Sequence, residues 1–227
     1  MAEVRKLATR AQWATLVKHL ELVIERNRTM NLTRITDWDE AVCLHIVDSL
    51  LLQDAFAEAP AGAFLDMGTG AGYPGIPLAV VTGRKATLVD SVSKKAVAVR
   101  GFVHELGMED QVRVEAARVE DIARAERGRY SVVTARAVAQ TAVLVEYAAP
   151  LLRRGGRLVA AKARLSREEL EAASRAAKLC GMRQVSCETF ELPAGMGHRE
   201  IVSYERVGNP SVRLPRATGM AQHHPLG

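Results

Sequence analysis

Apolar positions in the first 28 residues fall at helical spacing: Leu7, Ala11, Trp13, Leu16, Leu20, Val23 and Ile24. The pattern predicts one long or two short amphipathic helices over 3–28. Asn31, Thr33 and Thr36 interrupt it. Asp37 or Asp39 is then placed to cap a second helix carrying Ala41, Val42, Leu44, Ile46, Val47, Leu50 and Leu51. A Pro/Gly/Ala joint, AEAPAGA at 57–63, closes this helical section.

From Ala63 the period changes. Short β-type runs (AFLDM, ATLVD, VRVEA, SVVTA, GRLVAAK) alternate with helical stretches, and RQVSCETFEL and REIVSYERV follow with no helix between them. Alternation of this kind predicts an α/β fold with a mostly parallel sheet and helices on both faces. The last two runs should form a hairpin, which makes seven strands with one antiparallel. The expected organisation is an N-terminal helical extension (1–62), a sheet domain (63–206) and a poorly ordered, proline-containing tail (207–227).

Composition narrows the class. With 227 residues and 25% charged positions, the chain can bury a sizeable core, and no apolar run approaches a membrane span. The charged start lacks the apolar stretch of a signal peptide, so a cytoplasmic location is expected. Cys43, Cys180 and Cys187 have no CxxC spacing, and adjacent His223 and His224 lack a third ligand, so no metal is expected. Residues 1–62 carry 7 basic and 9 acidic groups, whereas 63–206 carry 22 and 17. The basic excess in the sheet domain is compatible with a polyanionic partner.

The sharpest motif is FLDMGTGAGYPG at 64–75, on the first strand-to-helix turn, where open α/β sheets bind ligands. Gly68, Gly70 and Gly72 allow positive φ and close backbone approach. Asp90 ends the second strand and suits a ribose diol. Gly70-x-Gly72-x-x-Gly75 also matches the dinucleotide fingerprint. Asp66, two residues before Gly68, would repel a pyrophosphate but attract the sulfonium and amino group of S-adenosylmethionine. Val119 and Glu120 or Asp121, after the third strand, are candidates to meet the adenine; acids enriched at a helix start are the plainer explanation.

After the fourth strand the chain reads SVVTARAVA (131–139). The Asp/Asn-Pro-Pro-aromatic signature of amine methylation is absent. No cysteine lies between Cys43 and Cys180 to serve cytosine-carbon methylation, and no base for an oxygen acceptor is evident. Arg136 sits there instead. An acceptor needing no deprotonation suits such a site, and guanine N7 is one.

Seven blocks in this order resemble the bacterial 16S ribosomal RNA guanine-N7 methyltransferases, the RsmG (GidB) family. They are MNLTRI (30–35), HIVDSLLL (45–52), FLDMGTGAGYPGIPLA (64–79), LVDSVSKKAVAVRGFVHELG (88–107), ARVED (117–121), TARAVA (134–139) and GHREIV (197–202). The resemblance implies a Rossmann-like class I methyltransferase with strand order 3-2-1-4-5-7-6. It implies S-adenosylmethionine as cofactor and a guanine N7 in the decoding-region (530) loop of 16S rRNA as acceptor. Gly68, Tyr73, Asp90, Val119, Glu120 and Arg136 would contact the cofactor, Tyr73 through backbone or packing. Asn31, His45 and Asp48 fall in blocks that resemble the family. On that footing Asp48 would accept from the guanine N1–H and amino group while His45 or Asn31 orients it; the plainer role is to tie the extension to the sheet domain. Lys94, Arg118, Arg136 and Arg199 would line an RNA groove. Trp13 and Trp38 are expected as packing residues. The expected partner is 16S rRNA within the 30S subunit or an assembly intermediate, engaged by a monomer. The rivals are another methyl acceptor, a non-catalytic RNA-binding assembly factor and an NAD-dependent oxidoreductase.

Overall fold

The computed structural model describes residues 7–227. Of the helix expected over 3–28, residues 3–6 lie outside the described residues; the rest is α1 (Arg10–Asn27). It starts at a capping box in which the Thr9 and Gln12 side chains each bond the other's backbone N–H. The second helix is one continuous run: α2 (Trp38–Ala41), a π-helical stretch (Val42–Val47) and α3 (Asp48–Leu50). Asp37 is its cap, its carboxylate accepting from the Glu40 N–H at 2.9 Å. The π-helical turn is the one feature of this run that hydrophobic spacing does not announce, and such turns concentrate at functional sites. A short α4 (Gln53–Ala57) leads to the sheet domain. Trp13 is partly buried against this layer, but Trp38 is 40% exposed. It occupies the first turn of α2, ahead of the apolar positions that face inward, so it does not pack as expected.

The strands are β1 (Phe64–Met67), β2 (Ala86–Asp90), β3 (Val112–Ala116), β4 (Tyr130–Arg136), β5 (Leu152–Lys162), β6 (Met182–Glu191) and β7 (His198–Arg206). Their order is β3-β2-β1-β4-β5-β7-β6. β1 to β5 pair in parallel, and β7 is antiparallel to β5 and to β6. Successive residues of a strand point to opposite faces, and the central strands β1 and β4 are buried on both faces. Leu65, Val133, Leu158 and Ala160 join one core with α8 (Thr141–Ala148) and α9 (Arg167–Cys180). Phe64, Val132 and Val159 join the opposite core with α5 (Gly75–Thr82) and α6 (Ser93–Glu105). The helical extension covers that second core: Val23, Leu52 and Phe56 are buried in it. No helix among the described residues is long and apolar enough to cross a membrane.

The tail departs from expectation. Residues 207–227 fold onto the sheet domain, with Leu214 and Ala221 buried and a short helix, α10 (Met220–His223), near the end. The cause is electrostatic as much as apolar. Glu146 on α8 is 3% exposed and needs a cation, which Arg216 supplies through two hydrogen bonds of 2.6 Å.

Candidate active site

The carboxyl ends of β1 and β2 build one half of the site. Gly68 and Gly70 adopt φ of +71° and +61°, so the chain after β1 can turn back on itself. The N–H groups of Gly68 and Thr69 donate to the Val89 carbonyl at 2.8 and 3.0 Å. Asp90 completes the clamp: one carboxylate oxygen accepts from the Gly70 N–H at 3.0 Å, the other from the Val92 N–H at 2.8 Å. Each oxygen retains a lone pair, which leaves Asp90 able to accept from a ribose. Asp66 is fully buried beneath the turn. Its Oδ2 accepts from the Gly75 N–H at 3.0 Å, while Oδ1 has no hydrogen-bond partner. Burial pushes its pKa up to about 7. An unpaired buried carboxyl oxygen under a glycine turn fits a ligand that brings a cationic centre close by. Gly75 is required by crowding rather than φ, since a Cβ would stand 2.2 Å from Leu88 and 2.7 Å from Asp66 Oδ2.

A second part of the site lies where α7 (Val119–Ala125) starts. Glu120 is buried, and its Oε1 accepts from the Gly219 N–H of the tail at 2.8 Å. Arg118, Val119 and Glu120 share a cavity of about 80 Å3 with Gly68, Val89 and Gln222. Lys94, exposed in the first turn of α6, does not line it.

Across β4 lies a larger cavity, of about 560 Å3, lined by His45, Asp48, Arg136, Lys162, Arg164 and Arg199, among others. Asp48 is its hub. The carboxylate, 3% exposed, accepts from the Arg136 guanidinium at 3.0 Å and from Arg199 Nε at 2.8 Å. Arg136 also donates to the Leu44 carbonyl at 2.8 Å, and that carbonyl belongs to the π-helical stretch. Asp48 therefore ties the extension to β4 and β7. Tyr73 reaches the same place from below, stacked on His45 at 4.6 Å, with the Arg136 guanidinium 5.7 Å above its ring. Its hydroxyl is buried without a partner, so the side chain is a packing element. Burial, aided by Arg136, lowers the His45 pKa to about 4, and the ring is neutral. Its Nε2 lies 3.0 Å from the Thr33 hydroxyl.

Asn31 is not brought to this cavity. It is exposed on the loop before α2, and Asn27 organises that loop, binding the N–H groups of Leu32 and Thr33 and the Thr33 carbonyl. Sequence reasoning also missed Lys162, Arg164 and Glu169. Lys162 pairs with Glu169 at 2.8 Å, and Arg164 is exposed. The available signal was KAR, which ends the run GRLVAAK and passes into the following loop at the ligand-binding edge of the sheet.

Comparison with known proteins agrees with this architecture. Residues 12–202 match the GidB family, described as rRNA small subunit methyltransferase G. A ribosomal RNA small subunit methyltransferase G from Chloroflexus aggregans is 41% identical over 95% of this chain and 90% of its own. One from Deinococcus radiodurans is 38% identical, covering 91% and 83%. Among solved structures, one described as converting a disulfide bond into a thioacetal group in echinomycin biosynthesis aligns with TM-score 0.60. It is 17% identical, over 79% of this chain and 89% of that one. Geranyl diphosphate methyltransferase with sinefungin gives 0.57 at 16% identity, over 71% and 78%. At these identities the likeness is one of fold, and it is the class I methyltransferase fold. With the family matched over most of its length, the chain belongs to the rRNA small subunit methyltransferase G family.

Proposed function

We propose that this protein transfers a methyl group from S-adenosylmethionine to N7 of a guanine in the decoding-region (530) loop of 16S rRNA. The observation that carries the reading is the cavity across β4 from the glycine turn. It is lined by Arg136, Lys162, Arg164 and Arg199, a cationic rim suited to a nucleic acid backbone, and it has room for a base.

When bound, the cofactor supplies an electrophilic methyl group on a sulfonium. Asp90 would hold its ribose, Gly68 and Gly70 its close backbone approach, Val119 and Glu120 its adenine, and Asp66 would balance its charge. The chain's own work on the acceptor is positioning. Asp48 uses one lone pair of each oxygen on an arginine and keeps the others for the guanine N1–H and amino group. His45, neutral and stacked on Tyr73, lines the same cavity. Arg136 stands between the two halves and holds the acceptor against the donor. Guanine N7 carries a free lone pair at neutral pH, so in-line transfer needs orientation and no general base. Lys94, Arg118 and Arg199 extend the cationic surface for RNA. The same reading makes the protein a cytoplasmic monomer acting on the 30S subunit or its assembly intermediate.

The test is incubation with methyl-labelled cofactor and either 30S subunits or naked 16S rRNA from a strain lacking the modification. Label is then mapped by N7-specific cleavage and primer extension. One labelled guanine in the 530 loop is expected. Label elsewhere would move the acceptor, and bound cofactor without label would favour a non-catalytic assembly factor.

A further inference from the structure

The tail does more than pack. Its last turn lies across the adenosyl side of the site. Gln222 lines the small cavity together with Gly68, Val89 and Glu120. The Gly219 N–H occupies Glu120 Oε1 at 2.8 Å, and the Tyr147 hydroxyl adjoins the same carboxylate. What remains between these walls is about 80 Å3, well below the roughly 300 Å3 at which small-molecule sites begin.

The way this segment is held divides it in two. Upstream it is anchored firmly. Leu214 is buried, Arg127 donates to the Leu214 carbonyl at 2.5 Å, and Arg216 forms its paired bonds to Glu146. Downstream the hold is lighter. Between Ala217 and Pro225 only Ala221 is buried, Leu226 is partly buried against the core, and the Arg216 guanidinium donates to the His224 carbonyl at 2.6 Å, a bond the opening must break. The two parts meet at Gly219, whose φ of +83° gives a pivot without a Cβ penalty.

We propose that residues 219–227 form a strap that closes the adenosyl pocket from within the chain and must swing away about Gly219 before the cofactor can enter. The Arg216–Glu146 pair stays in place and keeps the strap tethered at the mouth. Strap and cofactor compete for Glu120 and for the space beside Gly68. The inference rests on the adenosyl group binding between Asp90 and Glu120, as proposed above.

Competition of this kind lowers apparent affinity by the fraction of open protein. Adenosylhomocysteine is the probe, with association rate and equilibrium affinity measured for the full chain and for a chain ending at Thr218. Removing the strap should raise the association rate about threefold or more and leave the dissociation rate little changed. Gly219→Ala, which strains the pivot while keeping the residues, should move the rate in the same direction if the shortened chain folds poorly. A second readout is amide exchange in the full chain. Saturating adenosylhomocysteine should speed exchange at Gly219, whose N–H is bonded to Glu120 in the closed strap. Weaker binding by the shortened chain, or slower exchange on binding, would make the segment a fixed wall of the pocket and overturn the proposal. Asp90→Ala separates the two levels. If it binds adenosylhomocysteine as well as the natural chain does, the pocket assignment itself fails and the strap falls with it.

Discussion

Asp48 shows how one buried carboxylate can order a site. Two arginines from strands far apart in sequence converge on it, with side-chain exposures of 15% for Arg136 and 18% for Arg199 against 4% for Asp48. Removing the acid leaves both cations half-buried and facing each other. Breaking a buried pair in this way costs about 3 kcal/mol, so Asp48→Ala should lower the Tm by roughly 6–12 °C in a scanning melt. A second residue-scale prediction concerns pH. Burial lowers His45 to about 4 and His19 to about 3, and raises Asp66 to about 7. Between pH 4 and 6.5 the unfolded chain protonates both histidines, while the folded chain protonates neither but keeps a proton on Asp66. The unfolded state thus binds one proton more from these three groups. Their sum destabilises the protein as pH falls through this window, by about 1.4 kcal/mol per unit. His19→Asn should lower the measured slope by that of about one proton, as read from denaturant titrations at pH 4.5, 5.5 and 6.5.

At the scale of elements, the turn between β1 and α5 has the least freedom. Its fit depends on Gly75 lying against Leu88 and Asp66, where an added methyl has no space on either side. Gly75→Ala should therefore lose about 1–3 kcal/mol and loosen the Asp66–Gly75 bond, weakening adenosylhomocysteine affinity in calorimetry. This turn was legible in the sequence because glycine and aspartate spacing encodes backbone geometry directly. So were the strands, whose apolar runs are local, and the hairpin, from two β runs with no helix between them. The cap at Asp37 was legible for the same reason. The acceptor cavity was only partly legible. His45 and Asp48 lie together on one helix, but that Asp48 meets Arg199 depends on a contact across 151 positions. The π-helical turn and the choice of Asn27 over Asn31 depend on hydrogen bonds that no hydrophobic period records. Prolines made the tail read as loose, since a missing periodicity cannot distinguish a disordered segment from an irregular one that is packed.

At the scale of the molecule, the two halves of the site lie on either side of β4 and differ in character. The side proposed for the methyl donor is closed and carries Asp66, Asp90 and Glu120. The side proposed for the acceptor is open and rimmed by arginine and lysine. RNA affinity should therefore depend on salt through the acceptor rim. Arg164 is exposed and forms no ion pair among the described residues. Arg164→Ala should reduce the slope of log affinity against log salt by about 0.7–0.9, while adenosylhomocysteine affinity stays unchanged. An unaltered slope would place the RNA elsewhere. The order of the strands has a further consequence during synthesis. The glycine turn and Asp90 are made early, and every contact among Asp66, Gly75 and Asp90 lies within a short stretch of chain. The acceptor cavity needs β7 inserted between β5 and β6, because only then does Arg199 reach Asp48. A nascent chain emerging from the ribosome thus lacks this cavity until its last strand is out, and on the proposed reading the molecule acquires its grip on RNA only once its own translation is nearly complete.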